Sequence, residues 1–281
     1  MTLLESFIAL DTLNLLALLG VVFIGLPHGA MDGALAVHFG WMGRPTRAVA
    51  FLLSYVGLAG LVVLSWAIAP VLSFIVFLAI STFHFGRGDA TSTLVGRGAV
   101  ESIARGGVVI GGISQFHRTE ANDVFLTIVG ADTTGVWLFL DVLVVFAVAC
   151  IVETLLFKQQ HERTAFGLEI GALSLLFMAV PPLVGFAVYF CFVHSFRHFS
   201  SMRSVLQSTV SSLRITQTTV VFSLLTWAFG LVVLAQQSAS IGVEPALLKV
   251  VFIGLAALTV PHMLLVDGVL ERTTARTILD N

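Results

Sequence analysis

VWLFLDVLVVFAVACIVETLL, residues 136–156, decides the fold class. Its twenty-one residues include two acids, Asp141 and Glu153, and no base. A helix needs about 20 mostly apolar residues to cross the hydrocarbon core of a bilayer. Inside that core every backbone polar group must be satisfied within the segment, so such a stretch forms a helix. Eight further stretches read the same way: roughly 10–30, 48–69, 71–87, 99–116, 166–181, 182–199, 216–236 and 246–267. The expected fold is therefore all-α, a polytopic transmembrane helix bundle of about nine spans. Pro70 falls between the second and third stretches and Pro181–Pro182 between the sixth and seventh. Proline breaks the helix ladder. As turns these sites keep nine spans; as kinks they lower the count to seven. The stretch 99–116 is short and holds Gly106, Gly107, Gly111 and Gly112, which suit close helix packing.

Composition agrees. Of 281 residues, 57% are hydrophobic and 11% charged, against about 25% charged in soluble domains. A single core of this size cannot hide so much apolar surface. A net charge of −2 implies no basic surface, so nucleic acid is not an expected partner. Cys150 and Cys191 both lie in apolar runs, as packed or lipid-facing thiols. The opening MTLLESF has neither the basic region nor the cleavage site of a secretory signal, so the first stretch is expected to be a retained span. No soluble domain fits between the spans, and residues 1–281 read as one integral membrane domain.

Basic residues favour cytoplasmic loops. With the N-terminus outside, the inner connections hold Arg44, Arg47, Arg87, Arg97, Arg105, Lys158, Arg163, Arg197, Arg203, Arg214, Arg272 and Arg276. These are twelve of the fourteen Lys and Arg; only Arg118 and Lys249 fall elsewhere. The outer connection 117–133 carries Glu120, Asp123 and Asp132, and 119–130 reads as a short interfacial helix. The C-terminus is thus expected in the cytoplasm, and the protein in the bacterial cytoplasmic (inner) membrane.

Histidine supplies the functional signal. His38, His117 and His161 lie in polar connections and read as solvated. His28, His84, His194, His198 and His262 lie in or at the ends of apolar spans. Polar groups at membrane depth are costly and turn toward a protein interior. In the topology above, spans one, three, seven and nine all run inward, and each ends at one or two of these histidines. His194 and His198, in HSFRH, are four residues apart, so both imidazoles share a helical face and can share a metal. An imidazole-rich site suits iron, copper or zinc. Hydrogen bonding of interior histidines to backbone or to one another is the alternative.

Carboxylates follow the histidines. Asp32 lies one turn after His28 and reads as its local hydrogen-bond partner. Asp89 and Asp267, five residues after His84 and His262, more naturally serve another helix or end one in solvent. Glu153 and Glu169 read as helix-end carboxylates that can also bind metal. Asp141 reads as deeply buried, with no partner evident. Pro27 and Pro261 each precede a histidine and can kink the helix toward the bundle axis. Phe83, Phe85, Tyr189, Phe190 and Phe196 cluster in sequence beside the histidines, as candidates to line a tunnel for a long apolar substrate.

PHGAMD at 27–32, HFGRGD at 84–89, YFCFVHSFRHF at 189–199 and PHMLLVD at 261–267 together resemble the Brp/Blh family, membrane β-carotene 15,15′-dioxygenases of bacteria and archaea. The motifs run in family order over almost the whole chain; residues 90–180 carry little of the likeness. The resemblance implies cleavage of the central double bond of β-carotene by O2 into two all-trans-retinal molecules, at a nonhaem Fe(II) site. Carried over, it gives His28, His84, His194 and His198 as metal ligands and catalytic residues. It leaves His262 as a fifth ligand, a group supporting the ligands from behind, or a substrate contact. Membrane lipid is the implied source of the carotenoid, and retinal supply implies a functional link to microbial rhodopsins. Three rivals predict other observables: two irons per chain for a di-iron desaturase or hydroxylase, a Soret band for a haem-binding electron carrier, and proton-coupled flux without metal for a transporter.

Overall fold

The computed structural model describes residues 11–90 and 95–270. The first ten residues, on which the retained N-terminal span partly rests, and Arg272 and Arg276 lie outside the described residues. Among the described residues the chain is helical, with no strand. The helices are α1 (Thr12–His38), α2 (Pro45–Ile68), α3 (Pro70–Asp89), α4 (Val95–Gln115), α5 (Arg118–Val129), α6 (Thr134–Phe157), α7 (Gln160–Ala179), α8 (182–206), α9 (Ser212–Ile241) and α10 (Val243–Gly268). Each of the nine apolar stretches falls on one of the long helices. The short α5 occupies the place read as an interfacial helix.

Six helices are long and apolar enough to cross a membrane: α1, α2, α3, α6, α9 and α10. Stretches 99–116, 166–181 and 182–199 are helical but are not among the six. These three carry Glu101, Arg105, Glu169 and Arg197, which lower their apolar content. The apolar helices present large exposed side chains, such as Leu53 and Val56 on α2, Val145 and Phe146 on α6, and Leu225 and Phe229 on α9. So much apolar surface suits lipid rather than water.

Prolines stand where turns were expected. Pro70 opens α3 directly after α2, and Pro182 opens α8 after α7 ends at Ala179. Proline suits the first helical turn, where its missing N–H would have had no partner.

The chain divides into two compact units. The first comprises residues 1–21 and 69–197. Within it α3 and α4 pack at backbone contact. A Cβ on Gly86 would stand 1.7 Å from the Ser102 carbonyl oxygen, and one on Gly106 would stand 1.7 Å from that of Thr82. Positions 82 and 86 meet 106 and 102, so the two helices run antiparallel. Gly107 and Gly111 meet Ala147 and Val144 of α6, and Gly112 meets Phe177 of α7. The glycines of 99–116 thus serve helix packing, as their spacing suggested.

The second unit comprises residues 22–68 and 198–281. Its core gathers Met31, Ala34 and Leu35 of α1, Met202 and Leu206 of α8, Val210, Ile215 of α9, and Leu265 and Val266 of α10. Trp227 Nε1 donates to the Val22 carbonyl at 2.9 Å, tying α9 to α1.

Two expectations, for Asp141 and His38, need correction. Asp141 is half exposed and pairs with Arg118 at 2.8 Å, with Gln115 donating to the same carboxylate at 2.8 Å. The acid therefore lies toward the end of α6 that meets the 117–133 connection. His38 is not free in a loop: it ends a helix and bonds the Thr209 hydroxyl. His117 precedes α5 and lies 3.5 Å from Glu120, and His161 sits exposed in the first turn of α7.

Candidate functional site

Three of the four helices that carry the apolar-span histidines depart from α geometry at those residues. In α1, a π-helical turn at Val21–Gly25 passes into a 3-10 segment, Leu26–Met31, that contains Pro27 and His28. In α8 a π-helical turn, Tyr189–His194, ends on His194. In α10 another, Leu264–Leu270, begins two residues after His262 and three after Pro261. Proline removes a backbone donor, and local 3-10 or π turns re-satisfy the freed groups. Such turns recur at functional sites. The Pro–His pairs at 27–28 and 261–262 were the signals for two of them; the third has no proline.

In the first unit His84 and His194 are buried, with ring centres 4.9 Å apart. Three aromatic rings hold His194. Phe85 meets it edge-on at 4.7 Å, Phe190 stacks on it at 5.9 Å and 10°, and Tyr189 lies at 6.4 Å. Phe83 and Phe196 are exposed, so of the five aromatic candidates only Phe85, Tyr189 and Phe190 gather here.

Behind this pair runs a chain of alternating charges. Tyr189 donates its hydroxyl to Asp89 at 3.0 Å, and Asp89 pairs with Arg197 at 2.9 Å. Arg197 reaches Glu169 at 2.6 Å, Glu169 pairs with Arg105 at 2.6 Å, Arg105 with Glu101 at 2.9 Å, and Glu101 with Lys158 at 3.1 Å. Buried ions persist only when so compensated. Asp89 thus serves another helix, as its spacing from His84 suggested. Glu169, considered as a metal ligand, is instead held by two arginines.

Tyr189→Phe removes one hydrogen bond from a buried carboxylate. It is expected to cost about 1–2 kcal/mol of stability, read as a lower melting temperature. An unchanged melting temperature would contradict this supporting role of the hydroxyl.

In the second unit His28, His198 and His262 form a triangle, with ring centres 5.4, 5.6 and 4.9 Å apart. His28 and His262 are buried and His198 is partly buried. His28 Nδ1 bonds the Gly25 carbonyl. Asp32 does not serve His28 as expected. Its carboxylate accepts from His262 Nδ1 at 2.9 Å and from the Tyr55 hydroxyl at 2.8 Å. A 3-10 segment separates His28 from Asp32, so the one-turn spacing of an α-helix does not bring them together. Tyr55 carried no sequence signal; it lies beside Ser54 in a largely apolar helix. Asp267 lies in the π-helical end of α10.

Both clusters consist of imidazoles, a donor type that suits a divalent first-row metal. A supporting oxygen stands behind two of the rings, the Gly25 carbonyl at His28 and the Asp32 carboxylate at His262, as is usual for metal-ligating histidines.

Comparison with known proteins agrees in kind. A family model described as beta-carotene 15,15′-dioxygenase matches residues 19–269. A beta-carotene 15,15′-dioxygenase of an uncultured marine bacterium is 35% identical over 271 residues, covering 94% of this chain and 97% of the relative. A probable beta-carotene 15,15′-dioxygenase Blh of Halobacterium salinarum is 31% identical over 219 residues, 69% of this chain and 63% of the relative. No solved structure gives a significant match.

Proposed function

The chain belongs to the β-carotene 15,15′-dioxygenase family, and we propose on that premise that it adds O2 across the central double bond of β-carotene and releases two molecules of all-trans-retinal. The observation that carries the reading is similarity to a dioxygenase over nearly the full length of both chains. The buried imidazole clusters support it from the chemical side.

The metal is Fe(II), held by His28, His84, His194 and His198, the set that the family resemblance carries onto this chain. Bound iron supplies the activation of O2 that a polyene lacks. The chain's own residues do the rest by position. Phe85, Tyr189 and Phe190 exclude water from the His84–His194 pair and offer flat apolar faces to a polyene. Phe83 and Phe196, being exposed, belong at an opening rather than along an interior wall. No acid or base is required: regioselectivity comes from holding one bond of the substrate at the metal, an effect of position. Asp89 and Asp32 keep to support, each bound to a tyrosine hydroxyl.

The membrane setting is part of the same proposal. Nine helices cross, with the N-terminus outside and the C-terminus in the cytoplasm. The distribution of basic residues supports this, as do nine helices of twenty residues or more among the described residues. The membrane is the bacterial cytoplasmic one. β-Carotene, about as long as the bilayer core is thick, enters sideways from lipid. The retinal released suits a microbial rhodopsin in the same membrane.

Expression in β-carotene-producing cells tests the activity. The cells are expected to lose colour and accumulate retinal. Retained colour, or bleaching that yields longer apocarotenals, contradicts central cleavage.

A further inference from the structure

In α1 the π-helical turn Val21–Gly25 runs directly into a proline. In an α-helix each carbonyl takes the N–H four residues on; in a π turn it takes the N–H five residues on. Five residues after Val22 stands Pro27, which has no N–H. The π register therefore leaves the Val22 carbonyl without its donor, where an α register would have left that of Phe23. Trp227, on α9, donates its indole Nε1–H to Val22 at 2.9 Å. The bond thus falls on the carbonyl that the π turn and the proline together orphan.

The setting makes the donor necessary. Phe23 and Ile24 of the same turn are 54% and 50% exposed, on a helix apolar enough to cross a membrane. Lipid offers a carbonyl no hydrogen bond, so the donor must come from the protein. The Trp227 ring also meets Phe23 edge-on, with ring centres 5.2 Å apart. His28 follows this turn, and its Nδ1 donates to the carbonyl of Gly25, the turn's last residue. The orientation of the imidazole is therefore tied to the turn. Beyond the histidine α9 presses on α1 again: a Cβ on Gly33 would stand 2.8 Å from the ring of Phe222. All of these residues lie in the second unit.

We propose that Trp227 is a positioning residue for His28: its indole N–H takes the place of the N–H that Pro27 lacks and holds the π turn to which the imidazole is fastened. This rests on the reading of His28 as a metal ligand and adds the residue that fixes its backbone. In this role Trp227 acts through α1, not by contact with the metal. Pro27 is the other half of the device, because it frees the carbonyl by which α9 takes hold of α1.

The test uses the full chain purified in detergent, with Fe(II) affinity measured by titration against a chelator and the Co(II)-substituted protein read by visible absorption. Trp227 is replaced by benzothienylalanine, which keeps the fused ring and loses only the N–H. The replacement is expected to weaken Fe(II) binding by about three- to tenfold, the weight of one hydrogen bond, and to shift the Co(II) spectrum. Pro27→Ala gives position 27 its own N–H. In that background the same replacement is expected to change neither affinity nor spectrum further. Equal losses in both backgrounds overturn the exchange of donors. Wild-type affinity and spectrum after the replacement, whatever the melting temperature, while His28→Ala loses iron, overturn the positioning role and leave the family reading standing. Where the single replacement fails to fold, a folded chain on adding Pro27→Ala supports the proposal, and no recovery overturns it. A wild-type chain that binds no iron, or a His28→Ala chain that keeps it, overturns the ligand reading and the proposal with it.

Discussion

Replacing His194 with alanine is expected to abolish iron binding and retinal formation together. His194 is 2% exposed, sits 4.9 Å from His84 by ring centres, and ends the π-helical turn that sets its direction. Phe85 and Phe190 leave the ring little freedom to move. Changing a group behind a ligand costs 10–100-fold in metal affinity, and loss of the ligand itself is expected to cost at least about 100-fold. The emptied site is a cavity walled by aromatic rings, so stability also falls, by about 2–4 kcal/mol. Iron per chain, retinal per hour and the melting temperature, measured on one preparation, separate the effects. A folded variant with full iron and full activity would remove His194 from the site.

Gly86→Ala is expected to be among the most destabilising single-methyl changes in the chain. The new Cβ would meet the Ser102 carbonyl oxygen at 1.7 Å, and Ser102 Cα at 2.8 Å. The obstacle is backbone, which cannot rotate away, so α3 and α4 must separate. Overpacking typically costs 1–3 kcal/mol, and a clash with a fixed backbone is expected to reach or exceed about 3 kcal/mol. His84 lies two residues away, so the displacement also moves it relative to His194 and lowers activity. Gly106→Ala, which meets Thr82 in the same way, is expected to match it. Gly171→Ala is the control. Nothing stands within 4 Å of its Cβ, and alanine there is expected to be neutral or to stabilise by up to about 1 kcal/mol. Equal melting temperatures for the three variants would contradict the close approach of α3 and α4.

Elements were legible where one physical requirement decided them. Lipid demands about 20 apolar residues, and all nine stretches read that way are helical, six of them in helices long and apolar enough to cross; proline demands a break, and Pro70 and Pro182 open helices. The glycines of 99–116 announced close packing, and they are the residues against which α3, α6 and α7 press. The histidines announced themselves by their presence in apolar spans. Partnership was not legible. Which helix a carboxylate serves depends on packing: Asp32, four residues after His28 in the sequence, bonds His262 and Tyr55. The π and 3-10 turns shift residues by fractions of a turn that α periodicity does not anticipate. Phe83 and Phe196 show the same limit: nearness in sequence to a histidine says nothing of the side on which a ring lies. The charge chain from Lys158 to Asp89 joins residues that look, one at a time, like ordinary helix-end ions.

The central claim, metal-dependent central cleavage, is tested most directly on the purified chain stripped of metal and then reloaded with Fe(II). β-Carotene is supplied in detergent with O2, and retinal is counted against carotene consumed. The account predicts two retinal molecules for each β-carotene lost, no product from the stripped chain or without O2, and none from His194→Ala in either state. Undiminished retinal formation by the stripped chain, or carotene loss without retinal from the reloaded one, would contradict it.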